Sequence, residues 1–267
     1  MDSFEINNSM EEITNYVIDS SKKADEKADP PVKPEVVLND DSTIDIIFND
    51  GRKLSEFLPD KLKIKDTPDF NKPILYKVIS EDGEIQNLEV RINHEWLKKG
   101  GSAQVAIFAH EIGHALAIEE EIKRNKELKE LFEKHPSFDV IDNNVKAYMT
   151  YCFLKRASGK LDNEIQAWNY GKIVATLLGI NDTQYEDIMR PQIEGMYYAV
   201  YLPTYDFIKD LYRGDITSLN KDITYPLYDS SQQKEILVTA EELLSAFNKL
   251  DDDKYKRNIK ETGNFKS

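Results

Sequence analysis

Cysteine is nearly absent. Cys152 is the only one in 267 residues, so no intrachain disulfide framework is possible. It lies between Tyr151 and Phe153 in an apolar segment, a setting for a buried structural thiol rather than a nucleophile. Long hydrophobic runs are missing as well. No apolar stretch approaches the roughly 18 residues of a membrane span. The opening residues, MDSFEINNSMEE, lack the basic and apolar regions of a signal peptide, so the expected location is cytoplasmic. Positive charge is in deficit: 35 Lys and Arg against 49 Asp and Glu leave a net charge of −14. Such a chain is a poor match for the phosphates of nucleic acid and for an anionic membrane surface. There is no glycine-rich phosphate loop and no internal repeat. The remaining composition, 40% hydrophobic and 31% charged, is that of a soluble globular protein.

Histidine is scarce too, with four in the chain, and two of them stand in one stretch. Val105 to Ile118 reads VAIFAHEIGHALAI, almost continuously apolar around His110, Glu111 and His114. A helix that is apolar on most faces is normally buried. Burying two imidazoles and a carboxylate without partners costs several kcal/mol, and a shared cation removes that cost. His110 and His114 are four residues apart, on one helical face, so their rings can converge on one ion. Glu111 points about 100° round from His110, within reach of a water on that ion. This is the H-E-x-x-H arrangement of zinc hydrolases. The competing reading, two surface histidines beside a glutamate, does not suit such apolar flanks.

Taken in order, residues 1–34 read as a weak amphipathic helix (Phe4, Ile6, Met10, Ile13, Val17) and a charged linker ending in prolines. Strand signals follow at Val36–Leu38 and Thr43–Phe48, a helical turn at Leu54–Leu58, and a loop through Pro73. Ile74–Ser80 and Ile85–Ile92 form the best hairpin. Leu88, Val90 and Ile92 alternate with Glu89 and Arg91, so one face is buried. An edge strand just before the histidine helix would hold an extended peptide by backbone pairing. Residues 93–101 read as a connector, with Ser102 as N-cap of the histidine helix. Downstream, the pattern predicts helices over 119–134, 140–157 (ended by Ser158-Gly159), 162–179, 182–201 (interrupted at Pro191), 203–212 and 239–250, with 214–237 irregular. Thr239-Ala240-Glu241-Glu242 is a capping box.

A catalytic zinc takes three protein ligands and keeps one position open. Glu121 lies near the histidine face, but seven residues of continuous helix put it about 10 Å along the axis. The third ligand therefore comes from elsewhere. Glu164, in the first turn of the predicted 162–179 helix, is the leading candidate, with Asp162 and Asp142 behind it. A glutamate there also satisfies the helix dipole and needs no metal to explain it. The tyrosines of Met196–Tyr201 are candidates to stabilise an oxyanion, although a tyrosine stripe at helical spacing also suits a core.

Ala109-His110-Glu111-Ile112-Gly113-His114-Ala115-Leu116 resembles the signature of zincin metallopeptidases, and its small residues resemble the ImmA/IrrE-like group. Asn163-Glu164-Ile165-Gln166-Ala167-Trp168 is similar to that group's second metal-binding segment. The resemblance implies zinc held by His110, His114 and Glu164, Glu111 as base, a cytoplasmic location and regulatory proteins as substrates. The sequence departs from the pattern in two places. The interval from His114 to Glu164 is long, closer to lethal-factor-like toxin peptidases. Trp168 stands where thermolysin-type enzymes have an aspartate.

The expected protein is thus α+β: a small antiparallel sheet followed by a mainly helical zincin-like core. Residues 1–34 form an N-terminal arm, 35–250 the catalytic domain (strand-rich over 35–100, helical over 101–250) and 251–267 a charged tail. The expected activity is zinc-dependent cleavage of a protein or peptide substrate, with no nucleic-acid or membrane partner. The alternatives are a toxin or effector protease, and a non-catalytic metal-binding interaction domain. A closed, four-ligand structural site would draw on His94 or His135.

Overall fold

The computed structural model describes residues 34–48, 50–70, 72–79, 85–133, 143–230 and 232–263. The helix read over residues 4–19, most of the linker, the 81–84 turn, His135 and Asp142 lie outside these residues. Among these residues, seven strands and six α-helices make an α+β protein. The chain divides into two compact units, one of Met1–Ile122 with Asn163–Gln192, the other of Lys123–Asp162 with Ile193–Ser267.

The first unit holds the strands that precede the histidine helix. β1 (Glu35–Leu38) and β2 (Ile44–Ile47) pair antiparallel. A second sheet has the order β3–β5–β4, from Leu62–Asp66, Ile85–Ile92 and Ile74–Ile79. β4 and β5 form the antiparallel hairpin that their alternation implies. Leu88, Val90 and Ile92 are all but completely buried, each burial removing about 1.5–3 kcal/mol of apolar exposure from water. Two expectations change here. The stretch read as a loop before Pro73 contains β3, which runs parallel to β5, so the sheet is mixed rather than antiparallel. Leu62 and Ile64 are its only apolar anchors among lysines, and their burial against the sheet outweighs the weak local signal. The strand nearest in sequence to the histidine helix, β5, is also the central one. β4 is the edge.

The expected connector at 93–101 is a short helix, α1 (His94–Lys99), because the Asn93 side chain accepts from the backbone N–H groups of Glu95 and Trp96. The histidine helix follows as α2 (Ser102–Leu116). Its N-cap is Gly101, one residue before the one expected. Ala117 caps α2, and α3 (Ile118–Glu133) begins beyond it.

The larger departures concern helix breaks. α4 (Asn143–Leu177) runs unbroken through Ser158-Gly159. An interior glycine costs only about 1 kcal/mol relative to alanine, and Leu154, Ala157 and Leu161 are buried on either side of it. Asp162 therefore starts no helix, and Glu164 stands in mid-helix without the support of a helix N-terminus. α5 (Asp182–Leu211) likewise continues through Pro191 and Pro203. Each proline forfeits one backbone bond, while buried Tyr185, Tyr201 and Tyr205 anchor the stretches around them.

In the second unit, β6 (Tyr225–Asp229) and β7 (Lys234–Val238) form an antiparallel hairpin where an irregular segment is expected. α6 (Ala240–Gly263) opens with the capping box: Thr239 N donates to Glu242 Oε2 at 2.8 Å and Glu242 N to Thr239 Oγ1 at 3.3 Å. It continues past Leu250 into the charged segment. The tyrosine-rich part of α5 serves this unit's own packing. Tyr201 Oη accepts from Tyr228 N, and Tyr198 and Tyr205 donate to Asp253 and Asp251.

Candidate metal centre

Two helical segments of the first unit meet at a pair of glycines. A Cβ placed on Gly113 of α2 would lie 1.8 Å from the backbone oxygen of Ala167 in α4. One placed on Gly171 of α4 would lie 2.7 Å from the backbone oxygen of Ala109. Ala109 and Gly113 are four residues apart, as are Ala167 and Gly171, so each helix presents a small-residue face to the other. Backbones packed this closely put the side chains next to those faces within reach of each other. His110 and His114 project from one helix, Glu164 from the other.

The structure brings these three together. His110 Nε2 lies 3.3 Å and His114 Nε2 3.5 Å from the same oxygen, Glu164 Oε2. Both separations exceed a good N–H···O distance. They match the edge of a tetrahedron: ligand bonds of about 2.0–2.2 Å at tetrahedral angles set donor atoms about 3.3–3.5 Å apart. All three donor atoms lie within 4.8 Å of one another, and they are the only such group among the described residues. Two imidazole nitrogens and a carboxylate oxygen are donors of the kind that zinc takes. The arrangement could hold one such ion and leave a position free.

The three groups perturb one another's titration. Burial acts to raise the Glu164 carboxyl, but the two imidazoles that face it, His110 and His114, outweigh burial and hold the pKa at about 2. Burial drives His110 the other way, toward its neutral form. His114 is also penalised by burial, yet the Glu164 carboxylate and the charges of Glu111 and Glu121 raise it overall. One carboxylate oxygen thus faces two rings. The more buried ring, His110, is the one whose pKa is lowered.

Glu111 stands beside the triad and is held from the sheet. Its Oε2 accepts from the backbone N–H of Leu75 in β4 at 3.0 Å. That N–H therefore points away from β5, so Leu75 and Lys77 direct their backbone groups to the side of β4 that carries no strand among the described residues. The Lys77 ammonium pairs with Glu121 at 2.8 Å.

Other candidates lie elsewhere. His94 is tied to Asp66 at 3.1 Å and to Glu95 at 3.2 Å. Asp162 pairs with Arg124 in the second unit. Glu120 accepts from the Tyr170 hydroxyl and Glu121 from Lys77, so neither joins the triad even though the helix does break at Ala117. Cys152 is buried, and burial raises its thiol pKa, the opposite of an activated nucleophile. Three participants are not evident in the sequence pattern: Leu75 through its backbone, Trp168 and Tyr185. The Trp168 ring stacks on His110, and the Tyr185 hydroxyl donates to the Trp168 carbonyl at 2.7 Å. The four-residue spacing of Glu164 and Trp168 was the available signal for the second of these.

No family model, curated protein or solved structure matches this chain. No helix among the described residues is long and apolar enough to cross a membrane.

Proposed function

We propose that this protein is a zinc metallopeptidase of the zincin type, with His110, His114 and Glu164 as ligands and Glu111 as general base. The observation that carries the reading is the pair of 3.3 Å and 3.5 Å separations, which fit tetrahedral ligation better than hydrogen bonding. When bound, zinc would bring the pKa of a water near neutrality and polarise the scissile carbonyl. Glu111 then takes the proton of the attacking water and returns it to the leaving amine nitrogen as the C–N bond breaks. Its bond from Leu75 N fixes one carboxylate oxygen and leaves the other for this exchange. The β4 edge offers the carbonyl of Leu75 and both backbone groups of Lys77 to an extended peptide, and thereby presents a scissile bond beside the base. The expected substrate is a protein or peptide in extended conformation. The resemblance to ImmA/IrrE-like peptidases adds the narrower proposal of a regulatory protein.

A structural, closed metal site needs a fourth protein donor, and the group has three among the described residues. The test is Glu111→Gln. It should bind zinc at the wild-type stoichiometry, measured by elemental analysis, and lose hydrolysis of a quenched-fluorescent peptide library. Undiminished hydrolysis in that variant removes Glu111 from its role. Absence of zinc from the wild type after dialysis against the metal removes the whole reading.

A further inference from the structure

We infer that Trp168 is a positioning residue for the metal site, holding His110 by ring stacking where a ligating histidine ordinarily has a hydrogen-bond acceptor. The inference rests on the metal-site reading above. Metal-binding histidines almost always donate their second ring N–H to a carboxylate, a carbonyl or water, which fixes both the tautomer and the ring plane. His110 Nε2 faces Glu164, and its other nitrogen, Nδ1, is buried with no hydrogen-bond partner among the described residues. What fixes the ring plane instead is Trp168. The two ring centroids are 4.2 Å apart and the planes only 21° from parallel.

Trp168 is itself held in place. It is 3% exposed. The Tyr185 ring meets it edge-on at 5.5 Å and 63°, and the Tyr185 hydroxyl bonds its carbonyl. Gly171 closes the space behind that hydroxyl, since a Cβ there would lie 2.7 Å from it. Glu164 and Trp168 are one turn apart on α4, so a single helical face delivers both a ligand and the support of another ligand. The support is geometric rather than electronic. An aromatic face gives Nδ1 no acceptor and adds nothing to the ring's basicity. A planar apolar ring should therefore suffice at position 168, and a small side chain should not.

The experiment measures zinc affinity of the full chain by chelator competition in wild type, Trp168→Phe and Trp168→Ala. Loss of a partner that orients a ligand costs 10–100-fold in metal affinity. That loss is expected in Trp168→Ala, with Trp168→Phe close to wild type. A purely structural tryptophan would change the melting temperature of the metal-free protein without this affinity pattern. A second measurement does not depend on the alanine variant folding. The chain has two tryptophans, so Trp96→Phe leaves Trp168 as the sole tryptophan, and cobalt(II) should quench its selectively excited emission with one-to-one saturation. Trp168→Ala binding zinc as tightly as wild type, or unaltered emission on cobalt binding, overturns the inference. If His110→Ala loses zinc while Trp168→Ala keeps it, this inference fails alone. If the wild type binds neither ion, it fails together with the metal site.

Discussion

Gly113→Ala tests the geometry on which the whole site depends. The added Cβ would stand 1.8 Å from the Ala167 carbonyl oxygen, whereas real Cβ contacts essentially never fall below 3.0 Å. The helices must part by at least 1.2 Å, because a backbone carbonyl, unlike a side chain, cannot rotate away. Overpacking typically costs 1–3 kcal/mol, and a clash against backbone belongs at the upper end, about 3 kcal/mol. For a chain of this size that lowers the melting temperature by about 6–12 °C. The same displacement separates Glu164 from the two histidines, and donors that far apart cannot all reach one ion with bonds of about 2.0–2.2 Å. Zinc affinity should fall with stability. Gly171→Ala supplies the graded comparison. Its contacts are 2.7 Å, so a shift of 0.3 Å relieves them, and one is with the tip of a tyrosine side chain. Its cost should be about 1 kcal/mol, a 2–4 °C effect. Differential scanning calorimetry with and without zinc reads both. If Gly113→Ala melts within a degree or two of wild type and binds zinc normally, the close helix crossing is wrong. If Gly171→Ala proves the more damaging, the ranking of the two contacts is wrong.

Three further outcomes are expected. Leu75→Pro removes the N–H that holds Glu111 without breaking the β4–β5 ladder, since that N–H faces the open edge. Peptide hydrolysis should drop while zinc stoichiometry is preserved, and equal loss of both would contradict the assignment. Thr239→Ala should destabilise the second unit by about 1 kcal/mol by deleting the side-chain half of the capping box, seen as a lower urea midpoint. Asp45 is subject to burial, but Lys53, Asn39 and Ser55 bond its carboxylate and lower its pKa below 3.8. A folded pKa below the unfolded one contributes stability above about pH 4 that is lost as the pH falls further. Asp45→Asn should flatten the acid limb of the stability curve and leave it parallel to wild type near neutrality.

The histidine helix was legible in the sequence because its signal is local. Four-residue spacing fixes two rings on one face whatever the surroundings, and apolar flanks demand burial. The β4–β5 alternation and the Thr239 capping box were legible for the same reason. Helix breaks were not. Ser158-Gly159, Pro191 and Pro203 carry local penalties of a few kcal/mol at most, and burial on neighbouring turns exceeds them. The third member of the triad shows the difference well. Glu164 was the leading candidate, with its place in a first helical turn as the competing account. The helix is continuous there, so that account no longer applies.

By itself, then, the sequence determined the residue types and spacing of His110, Glu111 and His114 and the broad α+β class, since these follow from period, polarity and side-chain chemistry. The tertiary structure decided what lies opposite them. Which carboxylate approaches the histidines depends on how near two backbones can come at Gly113 and Gly171. Whether Glu111 finds a backbone N–H to hold it depends on which strand lies outermost. That His110 rests on Trp168 instead of a hydrogen-bond acceptor depends on both helices at once. Each is a contact between residues far apart in the chain, and no local propensity encodes it.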